Sequence, residues 1–178
     1  MITKSFIVFG VLTKITNNQI LTIMEQEPIL NEHNKQEYPP MHTAEHILNQ
    51  TMVRMFGCPR SRNAHIERKK SKCDYQLPTA PTAEQVQAIE DKVNEVIGRH
   101  LDVMVEYADR DHLPDGVDLS KLPAGVSDTL RLVRVGDYDI CACAGDHVGN
   151  TSEIPRFKII SHDWNDGTWR VRFRLMED

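Results

Sequence analysis

From Trp169 to Leu175 apolar and cationic residues alternate without a break. Trp169, Val171, Phe173 and Leu175 fall on one side, Arg170, Arg172 and Arg174 on the other. Successive side chains of a strand point to opposite faces, so this pattern demands a strand with one buried face and one wet face. A buried face needs a cover, and two segments with helical periodicity supply it. In the first, from His42 to Phe56, the residues Ile47, Leu48, Met52, Met55 and Phe56 recur at helical spacing. Pro39-Pro40 marks where that helix begins, and Gly57 where it stops. The second has Thr82 as its cap, Gln85 at the capping-box position, and Val86, Ile89, Val93, Val96 and Ile97 along one face, ending near Gly98.

Further strands are predicted at Leu101–Tyr107, Thr129–Val135, Tyr138–Cys143 and Arg156–Ser161. Residues 64–77 read as a hairpin or two strands. The expected class is α+β: a mainly antiparallel sheet with two principal helices packed on it, in a single domain over residues 41–178. Residues 1–40 read as an amino-terminal arm or linker, with strand character at Phe6–Leu12 and Gln19–Ile23. Residues 108–128 are rich in Asp, Pro and Gly, and a loop of that length in a compact domain usually serves as a lid or binding loop.

Composition narrows the partners. The chain of 178 residues has a formal charge of −5, which disfavours tight, non-specific binding to nucleic acid. A nucleic-acid partner would have to meet a local basic surface. Arg68, Lys69, Lys70 and Lys72 form the densest such run, and the row Arg170, Arg172, Arg174 forms a second. Both also fit a solvated face, and the arginine row also fits a device that blunts a sheet edge. No run approaches the roughly 18–20 apolar residues of a membrane span. The segment MITKSFIVFGVL has no small-residue cleavage site after it and is not read as an export signal. Four cysteines, Cys58, Cys73, Cys141 and Cys143, are too few and too uneven for a disulfide framework and fit a reducing cytoplasm.

Two short motifs carry chemistry. His42 and His46 stand four apart on a helix, so both imidazoles project from one face, which suits metal ligation and equally a chance pair among eight histidines. Cys143 and His147 flank the tight turn Ala144-Gly145. A thiolate and an imidazole placed so would hold a zinc ion with the first pair, a His₃Cys set. The alternative is a buried small hydrophobe at 143 and a loop histidine capping a carbonyl. Cys141 points to the same side as Cys143 and is read as packing.

HTAEHIL (42–48), followed about 95 residues later by CAGDHVGNTSEI (143–154) and then by FKIIS, resembles the editing domain shared by alanyl- and threonyl-tRNA synthetases. It is most similar to the free-standing alanyl-tRNA editing proteins of the AlaX type. The resemblance runs from about Met41 to Leu175. It implies a zinc-dependent hydrolase that deacylates mischarged aminoacyl-tRNA in trans, chiefly seryl- or glycyl-tRNA for alanine. The implied partner is the aminoacyl-tRNA acceptor end, with no DNA and no membrane partner, and the protein acts as a monomer or a dimer. The family's metal and catalytic residues fall on His42, His46, Cys143 and His147. Its substrate-sensing polar residue falls in the neighbourhood of Ser61, Arg62, Asn63 and His65, where Asn63 suits a hydrogen bond to a serine side chain and the stretch equally fits a simple turn. The usual second motif, CGGTH, is altered here to Ala144 and Asp146. Asp146 would either orient a ligand or repel substrate phosphate.

Overall fold

A computed structural model describes residues 38–117, 119 and 129–176. The strands expected at Phe6–Leu12 and Gln19–Ile23 lie outside the described residues, as do 118 and 120–128 of the predicted binding loop.

Helix α1 spans Pro39–Phe56, three residues longer at its start than the apolar pattern indicates. A proline at the first helical position lacks an N–H that would have no partner there anyway. The Tyr38 carbonyl accepts from the N–H groups of Met41 and His42, both at 3.0 Å. Gly57 ends the helix at φ +64°, a left-handed conformation that favours glycine, and its N–H donates to the Val53 carbonyl. Helix α2 spans Ala83–Ile97, with the Thr82–Gln85 capping box formed in both directions.

The strands are all antiparallel, and they divide into two sheets rather than one. The first runs β1 (Asn63–His65), β2 (Ser71–Gln76), β7 (Thr168–Met176), β6 (Arg156–Asn165). The second runs β3 (Val103–Asp109), β4 (Thr129–Val135), β5 (Asp139–Ala142). Among the described residues the α+β class with two principal helices holds; the split in the sheet comes from long-range pairing, on which alternation within a strand is silent. In the first sheet Cys73, Tyr75, Trp169, Val171, Phe173 and Phe157 turn inward, all at 0 or 1% exposure, against Ile47, Leu48 and Met52 of α1 and Ile89, Val93 and Val96 of α2. Fully burying an apolar side chain of this size contributes about 1.5–3 kcal/mol relative to leaving it in water.

The arginine row is placed differently from the expectation of a blunted edge. β7 lies between β2 and β6. Two of its three cations face carboxylates on the neighbouring strands: Arg170 forks onto Asp74, both bonds at 2.7 Å, and Arg172 donates to Asp163 at 2.6 Å, whereas Arg174 donates to Met176 Sδ. Charged cross-strand pairs of this kind are how a central strand keeps a polar outer face.

Candidate metal centre

Because α1 carries His42 and His46 on its inner face, and because the segment after β5 turns back over that face, four donors meet. Donor atoms of His42, His46, Cys143 and His147 all lie within 4.8 Å of one another. The Sγ of Cys143 is 3.4 Å from His42 Nε2 and 3.5 Å from His147 Nε2. The three imidazole centroids are 4.1 to 5.1 Å apart. For a tetrahedral zinc ion with bonds of about 2.0–2.1 Å to nitrogen and 2.3 Å to sulfur, neighbouring N and S donors should sit about 3.5 Å apart. The spacing and the donor set both fit such an ion.

Hydrogen bonds behind the donors set their tautomers. His42 Nδ1 is 3.1 Å from the Asp146 carbonyl, an acceptor only, so Nδ1 holds the proton and Nε2 keeps its lone pair for the cluster. Thr43 repeats the logic for His147. Its hydroxyl donates to the Pro39 carbonyl at 3.0 Å, so towards His147 Nδ1, also at 3.0 Å, it must accept. The proton of His147 therefore sits on Nδ1, and Nε2 faces the thiol. Thr43 Oγ1 also accepts from the Val148 N–H at 3.3 Å, tying the turn to the helix. Burial, with smaller contributions from His42 and Arg131, lowers the pKa of His147 to about 2. The imidazole thus stays neutral, the form that ligates.

His46 is held from another side. Asp139 Oδ2 lies 3.6 Å from His46 Nδ1, and Cys141 Sγ lies 3.4 Å from the same nitrogen. At 3.6 Å the Asp139 carboxylate acts on His46 as a charge, beyond hydrogen-bond distance. Asp139 is in turn gripped by Arg60, Nη1 to Oδ1 at 2.6 Å and Nη2 to Oδ2 at 3.0 Å, with Arg60 Nη2 also 3.5 Å from Cys141 Sγ. Arg60 and Asp139 are buried, at 6 and 5% exposure. Burial opposes the charge on Arg60, but Asp139 overcomes it and holds the guanidinium above its ordinary pKa. Burial pushes the Cys141 thiol well up, so it stays protonated beside the cluster. The buried Glu45 accepts from Asn49, whose Oδ1 takes the Ser61 N–H and the Tyr75 hydroxyl.

Arg131 completes the turn. Its Nη1 donates to the carbonyls of Cys143 at 2.6 Å and Gly145 at 3.0 Å, so one guanidinium fixes the curvature that brings Cys143 and His147 to one point.

The structure therefore brings His42, His46, Cys143 and His147 together. Asp146 is on the same turn, its carbonyl serving His42 and its side chain exposed. Asn63 and His65 stand apart on the exposed edge strand β1, engaged by Asp74 at 2.7 Å and Glu67 at 2.6 Å. Asn63 also lines a cavity of about 450 Å³ shared with Arg60, Arg62, Gln76 and Thr168. Cys141, read from sequence as packing, touches the cluster. Thr43, Arg60 and Asp139 carry no sequence signal, because their roles rest on contacts with residues 79 to 104 positions away, and Arg131 acts on carbonyls 12 and 14 positions away.

Fold and site define the class: an α+β domain with a His₃Cys cluster suited to a metal ion. Residues 130–172 match the family described as the threonyl and alanyl tRNA synthetase second additional domain. An alanine-tRNA ligase of Streptococcus pneumoniae (strain Hungary19A-6) is 34% identical over 132 residues, 73% of this chain and 15% of the relative. Those of Ligilactobacillus salivarius and Oceanobacillus iheyensis are 33 and 34% identical over 121 and 120 residues, each 67% of this chain and 14% of the relative. The chain thus spans about one seventh of the length of these relatives. It contains a domain related to the editing domain of alanyl-tRNA synthetases.

Proposed function

We propose that the protein is a cytoplasmic trans-editing hydrolase. It cleaves the ester between a wrong amino acid and the terminal ribose of tRNA for alanine, with seryl- and glycyl-tRNA as substrates. Water enters the bond, and free amino acid and a ribose hydroxyl leave. The observation that carries this reading is the convergence, in a domain of this relationship, of His42, His46, Cys143 and His147 within 4.8 Å. A zinc ion held by those four residues would supply a Lewis acid for the ester carbonyl.

The remaining work falls to the chain. His42 and His46 are buried and form the floor, whereas Cys143 and His147 are half-buried and open towards solvent, where the acceptor end would enter. The Asp146 carbonyl and Thr43 keep both Nε2 lone pairs turned inward. Asn63, in the wall of the cavity beside Arg60, is the residue we assign to sensing a substrate hydroxyl. The direct test is release of amino acid from seryl-, glycyl- and threonyl-tRNA by zinc-loaded wild type and His46→Ala. Serine and glycine should be released by the wild type and not by the variant. No release from any of the three would refute the reading.

One observation favours a second reading. Four side-chain donors close a zinc tetrahedron, as structural sites do, whereas catalytic sites keep a position open. The protein would then be a zinc-containing module that binds tRNA or a synthetase without hydrolysis, and retention of tRNA with no turnover would identify it.

A further inference from the structure

Between Arg62 and Lys72 five cations (Arg62, Arg68, Lys69, Lys70, Lys72) meet one acid, Glu67, a net +4 in a chain of net −5. This segment holds β1, the turn and the first residues of β2. β1 is the outermost strand of its sheet, and residues 62–65 and 67–70 are exposed. The single acid is engaged by His65 at 2.6 Å. Lys69, Lys70 and Lys72 make no ion pair with any described residue, in contrast to Arg170 and Arg172, which pair with carboxylates in the rival basic row. Arg68 is braced over the Tyr38 ring at 4.9 Å, at the start of the helix that carries His42.

The same stretch of chain reaches the metal centre. Arg60, two residues before the strip, holds Asp139 behind His46. At about 3.3 Å per extended residue the strip reaches at most about 26 Å from Arg60 to Arg68. At the root of the hairpin lies the 450 Å³ cavity with Arg62, Asn63, Gln76 and Thr168 in its wall. From the site outwards there is thus a cavity, with the Asp74 carboxylate in its wall, and then a cationic strip in which Lys69 and Lys70 make no ion pair with a described residue and Lys72 lies within reach of Asp74.

From this arrangement we infer that the β1–β2 hairpin is the surface that grips the phosphate backbone of the RNA, with Lys69, Lys70 and Lys72 on the acceptor stem. The inference rests on the editing reading for the choice of RNA but not for the binding. Lysine contacts to phosphate position the nucleic acid and carry no base information. They leave a measurable mark, because each one displaces a counterion.

The experiment measures binding of deacylated tRNA for alanine by fluorescence anisotropy from 50 to 200 mM salt. It compares wild type, Lys69→Gln/Lys70→Gln/Lys72→Gln, the same three changed to Arg, and Arg172→Gln as control. With a slope of about 0.7–0.9 per phosphate contact, wild-type affinity should fall about 20- to 40-fold more than that of the triple Gln variant over this range. The Arg triple and Arg172→Gln should match the wild type. An unchanged salt slope in the triple Gln variant would overturn the inference. The two readings fail separately. Serine release by the wild type with an unaltered triple Gln variant removes the hairpin surface and keeps editing. A lost salt slope without release from any aminoacyl-tRNA keeps the surface and removes editing.

Discussion

The Arg60–Asp139 pair allows a prediction with a magnitude. Both groups are about 95% buried, and a two-bond fork joins them. Arg60→Met removes a guanidinium of similar volume and leaves the Asp139 carboxylate, with Glu45 close by, uncompensated in the interior. Breaking one side of a buried pair costs about 3–5 kcal/mol. A chain of this size loses about 2–4 °C of Tm per kcal/mol, so the variant should melt about 6–20 °C lower. Asp139→Asn strands Arg60 and should cost a similar amount. The double variant Arg60→Met/Asp139→Asn removes both charges and should lose less than the sum of the singles, by about 1–3 kcal/mol. Urea unfolding followed by tryptophan fluorescence reports it, since Trp169 is fully buried. The cycle should be run on the chelated protein, so that metal binding does not add to the difference. Singles that cost under 1 kcal/mol, or that add without coupling, would refute the account of the pair.

Other changes probe the site and the fold. Thr43→Val keeps the shape of the side chain but removes the acceptor for His147 Nδ1–H; zinc affinity should fall about 10- to 100-fold by competition with a chromophoric chelator. Cys143→Ser should take bound zinc, measured by elemental analysis, from one per chain to well below one after dialysis. Acid stability should depend on Asp74. The hydrogen bonds from Arg170 hold its carboxyl below the ordinary range, against burial. The unfolded chain therefore binds the proton more readily. The contribution is complete above the unfolded pKa of about 3.9 and is lost as pH falls below it. Arg170→Gln should flatten the urea midpoint between pH 5 and 3 relative to wild type. A parallel curve would contradict the pairing.

Local chemistry made much of this legible before any fold was known. Helix α2 is legible with its cap and its buried face because the Thr82–Gln85 box and the recurrence of Val86, Ile89, Val93 and Val96 lie within a few turns of chain. The inward row of β7 followed from alternation, and His42 with His46 from a spacing of four. The partners across space were not legible. That the arginine row lies on a central strand, with Arg170 and Arg172 neutralised, depends on the pairing of β7 with the strands that carry Asp74 and Asp163, which no residue of β7 encodes alone.

The amino-acid order determined which atoms could act: two imidazoles on one helical turn, a thiol and a third imidazole around a short turn, and a concentration of lysine between two strands. Spacings of two and four residues decide these, and the backbone enforces them. Only the tertiary structure decided that Cys143 stands 3.4 Å from His42 across 101 residues of sequence, that Thr43 and Asp146 leave the Nε2 atoms bare, and that a buried arginine and aspartate stand behind His46. Those outcomes depend on packing two sheets against two helices, where each contact is set by the sum of many distant burials and by no local rule.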